Sequence, residues 1–202
     1  MKLRYFFTLF FVFNLFFSQK LEKGFLKIPA NMYYKDKIIK DINPNNKSYK
    51  SWIYVARDTE FPDDNEIVYK YGNYEFENAN NITEGIFYEC APDYNCYRIF
   101  KVWNEKKAFE ITNKENFINF LGKIDNLQEA LLLIRLDNYW FDRNFEIGGA
   151  YKITKDFVYI YGTNSDDYHM KFYKLKINRS TKKIQILKEG KIEGKKFPNT
   201  IS

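Results

Sequence analysis

Residues 112–136, TNKENFINFLGKIDNLQEALLLIRL, are where the periodicity of this chain changes, and that change decides the fold class. Thr112 and Glu115 stand at capping-box spacing ahead of Phe117, Ile118, Leu121 and Ile124, whose helical intervals predict a short amphipathic helix. Asp125 can cap a second helix. In it Leu127, Ala130, Leu131 and Ile134 form one stripe, which Leu132, Leu133 and Leu136 widen, so this helix is expected to be buried on several sides.

On either side of this stretch the pattern is one of strands. Upstream, residues 52–55, 67–71 and 73–76 are runs of β-branched and aromatic residues, with Gly72-Asn73 as a hairpin signal between the last two. A second group at 85–90, 96–103 and 108–111 is joined by a loop between two cysteines and by Asn104-Glu105-Lys106-Lys107. Together the two groups predict an antiparallel meander. Downstream, Gly148-Gly149 restarts extended structure, with strands expected at 151–154, 157–161, 168–177 and 183–188. Asn178-Arg179-Ser180-Thr181 is the hairpin loop between the last two.

Strands, then helices, then strands make an α+β layout: antiparallel sheet or sheets with a central helical pair packed on one face. Neither a repeat of fixed period nor a parallel βαβ pattern is visible. Residues 19–50, rich in Lys, Asn and Asp and turning at Asn43-Pro44-Asn45-Asn46, read as a loosely ordered lead-in with one short strand at 25–28. Residues 51–202 read as a single α+β domain, a size ample for one hydrophobic core.

The first residues carry a different signal. Lys2 and Arg4 precede residues 5–17, apolar except for Thr8 and Asn14, and Ser18-Gln19 follows. A basic start, an apolar run and a small residue at the break predict a cleavable signal peptide over residues 1–18, although Phe16 stands where a small residue is usual. The run falls short of the ~20 apolar residues that span a bilayer, and no later run is longer, so no transmembrane segment is expected after cleavage. This phenylalanine-rich leader ending in Ser-Gln resembles those of small uncharacterised exported proteins of AT-rich Gram-negative bacteria. The resemblance implies export, to the periplasm or the medium, and no particular activity.

The chain carries a net charge of +6, of which Lys2 and Arg4 supply two, leaving +4 after cleavage. That is too mild to argue for nucleic acid. The distribution is uneven: residues 170–202 hold ten Lys or Arg against Glu189 and Glu193, a local +8, so residues 19–169 sum to −4. Lys174 and Lys176 in this basic stretch are candidate contacts for an anionic lipid, a glycan or an acidic envelope protein. They also alternate with Tyr173, Leu175 and Ile177, as on the wet face of a half-buried strand.

Cys90 and Cys96 are the only cysteines, and in an oxidising compartment a disulfide across their short loop is expected, worth about 2 kcal/mol. The spacing is wrong for a Cys-x-x-Cys redox pair, and two thiols without companions make no zinc site. His169 is the only histidine, and no Gly-x-Ser-x-Gly elbow accompanies it, so neither a triad nor a multi-histidine metal site is read here. The acidic stretches at 58–66 and 164–167 lack the alternating ligands and glycine of an EF-hand. No cofactor or metal is implied.

Tyr139-Trp140-Phe141, just after the long helix, can stack on a sugar ring or anchor a protein interface, or can fasten the helix end to a sheet. The reading that follows is an exported, non-enzymatic binding or interaction protein of the cell envelope. Two others are a periplasmic inhibitor or immunity protein, and a small hydrolase using carboxylates such as Glu60 or Asp63.

Overall fold

A computed structural model of the chain describes residues 21–45, 48–58, 66–75, 85–88, 96–141, 148–165 and 170–192. The elements run β1 (Leu26–Lys27), α1 (Lys35–Ile38), β2 (Ser51–Asp58), β3 (Glu66–Tyr71), β4 (Phe87–Tyr88), β5 (Cys96–Trp103) and β6 (Ala108–Ile111). Then come α2 (Lys114–Leu121), α3 (Leu127–Arg135), β7 (Ala150–Ile153), β8 (Phe157–Ser165), β9 (Met170–Asn178) and β10 (Ile184–Lys191). Short 3-10 turns, Ala30–Tyr33 and Ile39–Asp41, flank α1. No helix among the described residues is long and apolar enough to cross a membrane.

The class is α+β, with the strands in two antiparallel sheets. The first has the order β3-β2-β5, and both β4 and β6 lie along the far edge of β5. The second has the order β1-β7-β8-β9-β10.

Alternation along the strands explains where the core sits. Trp52 pairs with Val102 and Tyr54 with Phe100 across β2 and β5, so all four project from one face of the first sheet. Onto that face α2 lays Phe117 and Phe120: ring centroids are 5.5 Å apart for Phe100–Phe117, 5.3 Å for Phe100–Phe120 and 5.7 Å for Trp52–Phe120. Tilted and edge-on rings of this kind add about 1 kcal/mol per pair beyond area burial. Val158 and Ile160 of β8 and Leu175 and Ile177 of β9 join the same buried cluster, as do six apolar residues of α3. The wide stripe of α3 is thus enclosed as its pattern predicts.

Both helices start one residue later than read. The Asn113 side chain, not Thr112, accepts from the Asn116 N–H at 2.9 Å. Asn126, not Asp125, caps α3 in a reciprocal box with Glu129. Each site offers two adjacent residues able to cap, and spacing alone does not choose between them. Gly122 ends α2 at φ 67°, a conformation glycine adopts without steric cost.

Other expectations are corrected. Residues 73–75 form no strand: after Gly72, at φ 79°, the chain bends and the N–H groups of Asn73 and Tyr74 both donate to Ser51 Oγ, at 3.1 and 3.2 Å. The two upstream strand groups do not form one meander, because β2 lies between β3 and β5 and β4 follows on the far side of β5. Strand patterns mark which segments are extended, whereas the choice of partner is non-local. The segment read as a lead-in is folded over residues 21–45. Ile28, Ile38, Ile39 and Ile42 enter the main core, and β1 pairs with β7.

Candidate functional site

Direct cross-strand partners share a face, so the registers of the second sheet place its outward side chains in rows. One row is Lys152, Tyr159 and Lys176 on β7, β8 and β9; the next is Tyr161, Lys174 and Lys188 on β8, β9 and β10. The inward rows hold Val158, Ile160, Leu175 and Ile177, which is why the alternation in β9 is legible in sequence. On the outward face the ammonium of Lys176 lies 4.0 Å from the ring centroid of Phe157. Lys174 lies 5.2 Å from Phe25 and 5.7 Å from Tyr161, and Lys188 lies 5.7 Å from Phe172. Such cation–ring contacts are worth about 0.5–1 kcal/mol where exposed.

Phe25, Ala150, Tyr161 and Phe172 form a small second cluster of their own, with Leu21, Tyr159 and Ile192 packed against it. Through this cluster residues 21–25 are held on the outward face. Glu22 accepts hydrogen bonds from Lys174 Nζ and from the Tyr161 hydroxyl. The Lys174 bond, then the Tyr161 bond, hold the Glu22 carboxyl below the usual range. Burial, and then the Glu22 carboxylate, push the Tyr161 phenol well up. The face therefore presents lysines beside the half-exposed rings of Phe157 and Tyr159, while Phe25, Tyr161 and Phe172 are buried and Glu22 is held among them.

The aromatic triplet is divided by the fold. Tyr139 packs edge-on against Tyr173 with centroids 5.2 Å apart, and burial raises its phenol pKa. Phe141 packs edge-on against Tyr33 and under the Arg135 guanidinium. Trp140 exchanges both backbone hydrogen bonds with Thr163, at 2.7 and 2.8 Å, while its side chain stays 51% exposed. Two of the three fasten the helix end, and one ring is presented.

Sequence reasoning missed a cleft at the end of the first sheet. Lys50, Ser51, Gly72, Asn73, Tyr74 and Trp103 line a space of about 420 Å³. Its aromatic wall is Tyr74 stacked on Trp103, with centroids 4.8 Å apart and planes 12° from parallel. Lys50 Nζ stands 3.9 Å from a Glu105 carboxylate oxygen at its lip. The Gly72-Asn73 pair was the available signal, read as a hairpin turn rather than as a bend that returns Tyr74 to β5.

Among carboxylates, Glu129 has its pKa raised to about 7, chiefly by burial. It is 0% exposed and accepts from the N–H groups of Asn43, Asp125 and Asn126, so its role is to hold two chain segments together. Cys90, Glu60, Asp63 and His169 lie outside the described residues, so the cysteine pairing and the carboxylate reading stay proposals. Among the described residues no group of three or more His, Cys, Asp or Glu is placed to hold a metal. Comparison with known proteins adds no relative. No family model, curated protein or solved structure matches this chain.

Proposed function

We infer that this is an exported, non-enzymatic binding protein of the cell envelope that meets an anionic component through the outward face of its second sheet. The observation that carries this reading is the pair of rows Lys152–Tyr159–Lys176 and Tyr161–Lys174–Lys188. Ammonium groups held over rings on a sheet are pre-arranged for an anionic surface, and the half-exposed rings of Phe157 and Tyr159 leave apolar area beside Lys152 and Lys176 for the partner to cover. The leader supplies the compartment, and export implies an oxidised Cys90–Cys96 pair, which mass spectrometry with and without reductant reads directly.

The test is affinity capture from the native envelope extract at low and high salt, with the purified protein and with a Lys152→Gln, Lys176→Gln, Lys188→Gln variant as baits. A lipid, glycan or acidic protein held at low salt by the first bait and not by the second supports the reading. Retention that the variant keeps, or turnover of a polysaccharide, peptide or ester by the pure protein, overturns it. Identification of a retained hydrolase or toxin would give the partner the chemistry expected of an inhibitor or immunity pair.

A further inference from the structure

We propose that the cleft walled by Tyr74 and Trp103 is a second binding site, and that its ligand is a sugar ring of a neutral oligosaccharide. The cleft's volume lies in the range of small-ligand sites, which combine an apolar wall with a few placed polar groups. Here the wall is a stacked pair of rings, and the polar groups are the Asn73 amide and the Lys50 ammonium, both exposed at the rim.

The match is with an amphipathic ring. A pyranose presents a face of C–H groups, slightly positive and apolar, which suits the negative face of an aromatic ring, while its hydroxyls radiate from the edge. In the cleft, an edge seated toward Lys50 and Asn73 leaves the C–H face for the aromatic wall. The wall is held on the protein side. Trp103 is the last residue of β5 and its carbonyl accepts from the Lys50 N–H at 3.1 Å, while Tyr74 is fixed by its own N–H bond to Ser51 Oγ. Ser51 is buried and already accepts two backbone N–H groups, so it acts as the anchor of the bend that carries Tyr74. Because the backbone that carries both rings is tied down by these bonds, little backbone ordering opposes binding.

The site goes beyond the basic face of the second sheet and fails or stands separately from it. A neutral sugar bound by stacking gives an affinity little changed by salt, unlike a contact made by lysines. Titration calorimetry of the purified protein with chitotetraose, cellotetraose and maltotetraose, with adenosine as a planar non-sugar, tests the assignment. Saturable binding of at least one oligosaccharide is expected. Tyr74→Ala should weaken it about tenfold, and Tyr74→Phe and Trp140→Ala should leave it unchanged. Lys50→Ala and Asn73→Ala, both at exposed positions, should each weaken it several-fold and serve if the Tyr74→Ala protein does not fold. The Lys152→Gln, Lys176→Gln, Lys188→Gln variant should bind the sugar as the parent does. Absence of heat from all three sugars up to about 10 mM, a regime in which even millimolar affinity registers, overturns the proposal. So does binding of adenosine alone, or sugar binding indifferent to Tyr74, Lys50 and Asn73.

Discussion

The backbone N–H of Asn43 donates to Glu129 Oε1 at 2.6 Å, across 86 positions of sequence. The other carboxylate oxygen takes the N–H groups of Asp125, at 2.6 Å, and Asn126. One buried side chain thus closes the start of α3 and fastens the segment that leads out of Ile42, itself in the core, to the helix. An amide in its place keeps one acceptor and sets an NH2 donor against the remaining N–H donors. Glu129→Gln is therefore expected to lower unfolding free energy by about 2 kcal/mol, and Glu129→Ala by more, in urea titrations.

The same group sets a pH dependence. Burial raises the Glu129 pKa from 4.5 to about 7 in the folded protein, so between these values the native state binds more protons than the unfolded one. Stability then falls as pH rises through this window. The contribution is full below 4.5 and lost above 7, and is on the order of 3 kcal/mol. Glu22 acts in the opposite sense, since its pKa is lowered and its contribution is lost as pH falls below 4.5. Urea midpoints from pH 4.5 to 8 should decline for the parent and stay flatter for Glu129→Gln; equal slopes would refute the assignment.

Arg179 joins the segment between α2 and α3 to the second sheet. Its guanidinium donates to the carbonyls of Ile124 at 2.8 Å, Asp125 at 3.0 Å, and Thr154 and Lys155 both at 3.1 Å. Its own carbonyl accepts the Ile124 N–H at 2.8 Å. A lysine cannot span four carbonyls in a fixed plane. Arg179→Lys is expected to cost about 2 kcal/mol and Arg179→Ala about 3 kcal/mol by chemical denaturation. A cost below about 0.5 kcal/mol for both would show that water replaces these bonds without loss.

What was legible in the sequence was whatever has a local period. The stripe of α3, the alternation of Lys174, Leu175, Lys176 and Ile177, and the Asn178-Arg179-Ser180-Thr181 loop all stand close to where the pattern puts them. What was not legible depends on which segment meets which. The Gly72-Asn73 signal announces a turn but not that Ser51 waits to bind the N–H groups beyond it. Residues 21–45 look polar in composition, yet their four isoleucines find the main core only because β1 and α1 are docked there. The rows of the basic face likewise require the registers of β7 to β10, since no local pattern joins Lys152 to Lys176.

Gly72 tests the bend directly. It sits at φ 79°, and a Cβ there would lie 2.5 Å from the Lys50 carbonyl oxygen and 2.2 Å from Ser51 Oγ. Both the backbone conformation and the contact oppose a side chain. Gly72→Ala is expected to lower stability by about 2 kcal/mol and to separate Tyr74 from Trp103, which tryptophan fluorescence would follow against the Trp140→Phe background.

The two lysines read together in sequence should come apart on substitution. Lys174 bonds Glu22 and lies over two rings, with its side chain 18% exposed, whereas Lys176 lies over the Phe157 ring. Lys174→Met removes the ammonium donor and leaves the Glu22 carboxylate to the Tyr161 hydroxyl, in a partly desolvated place. It should therefore cost about 1 kcal/mol more than Lys176→Met, a modest figure because half-exposed ion pairs are screened by water. A partner held by the outward face should nevertheless lose affinity with either substitution, since each removes one charge from adjoining rows. Thermal melts and binding measured on the same two variants separate these roles: equal stability losses would return Lys174 to the status of an ordinary surface lysine, and unequal ones would identify it as the residue that pins residues 21–25 to the sheet.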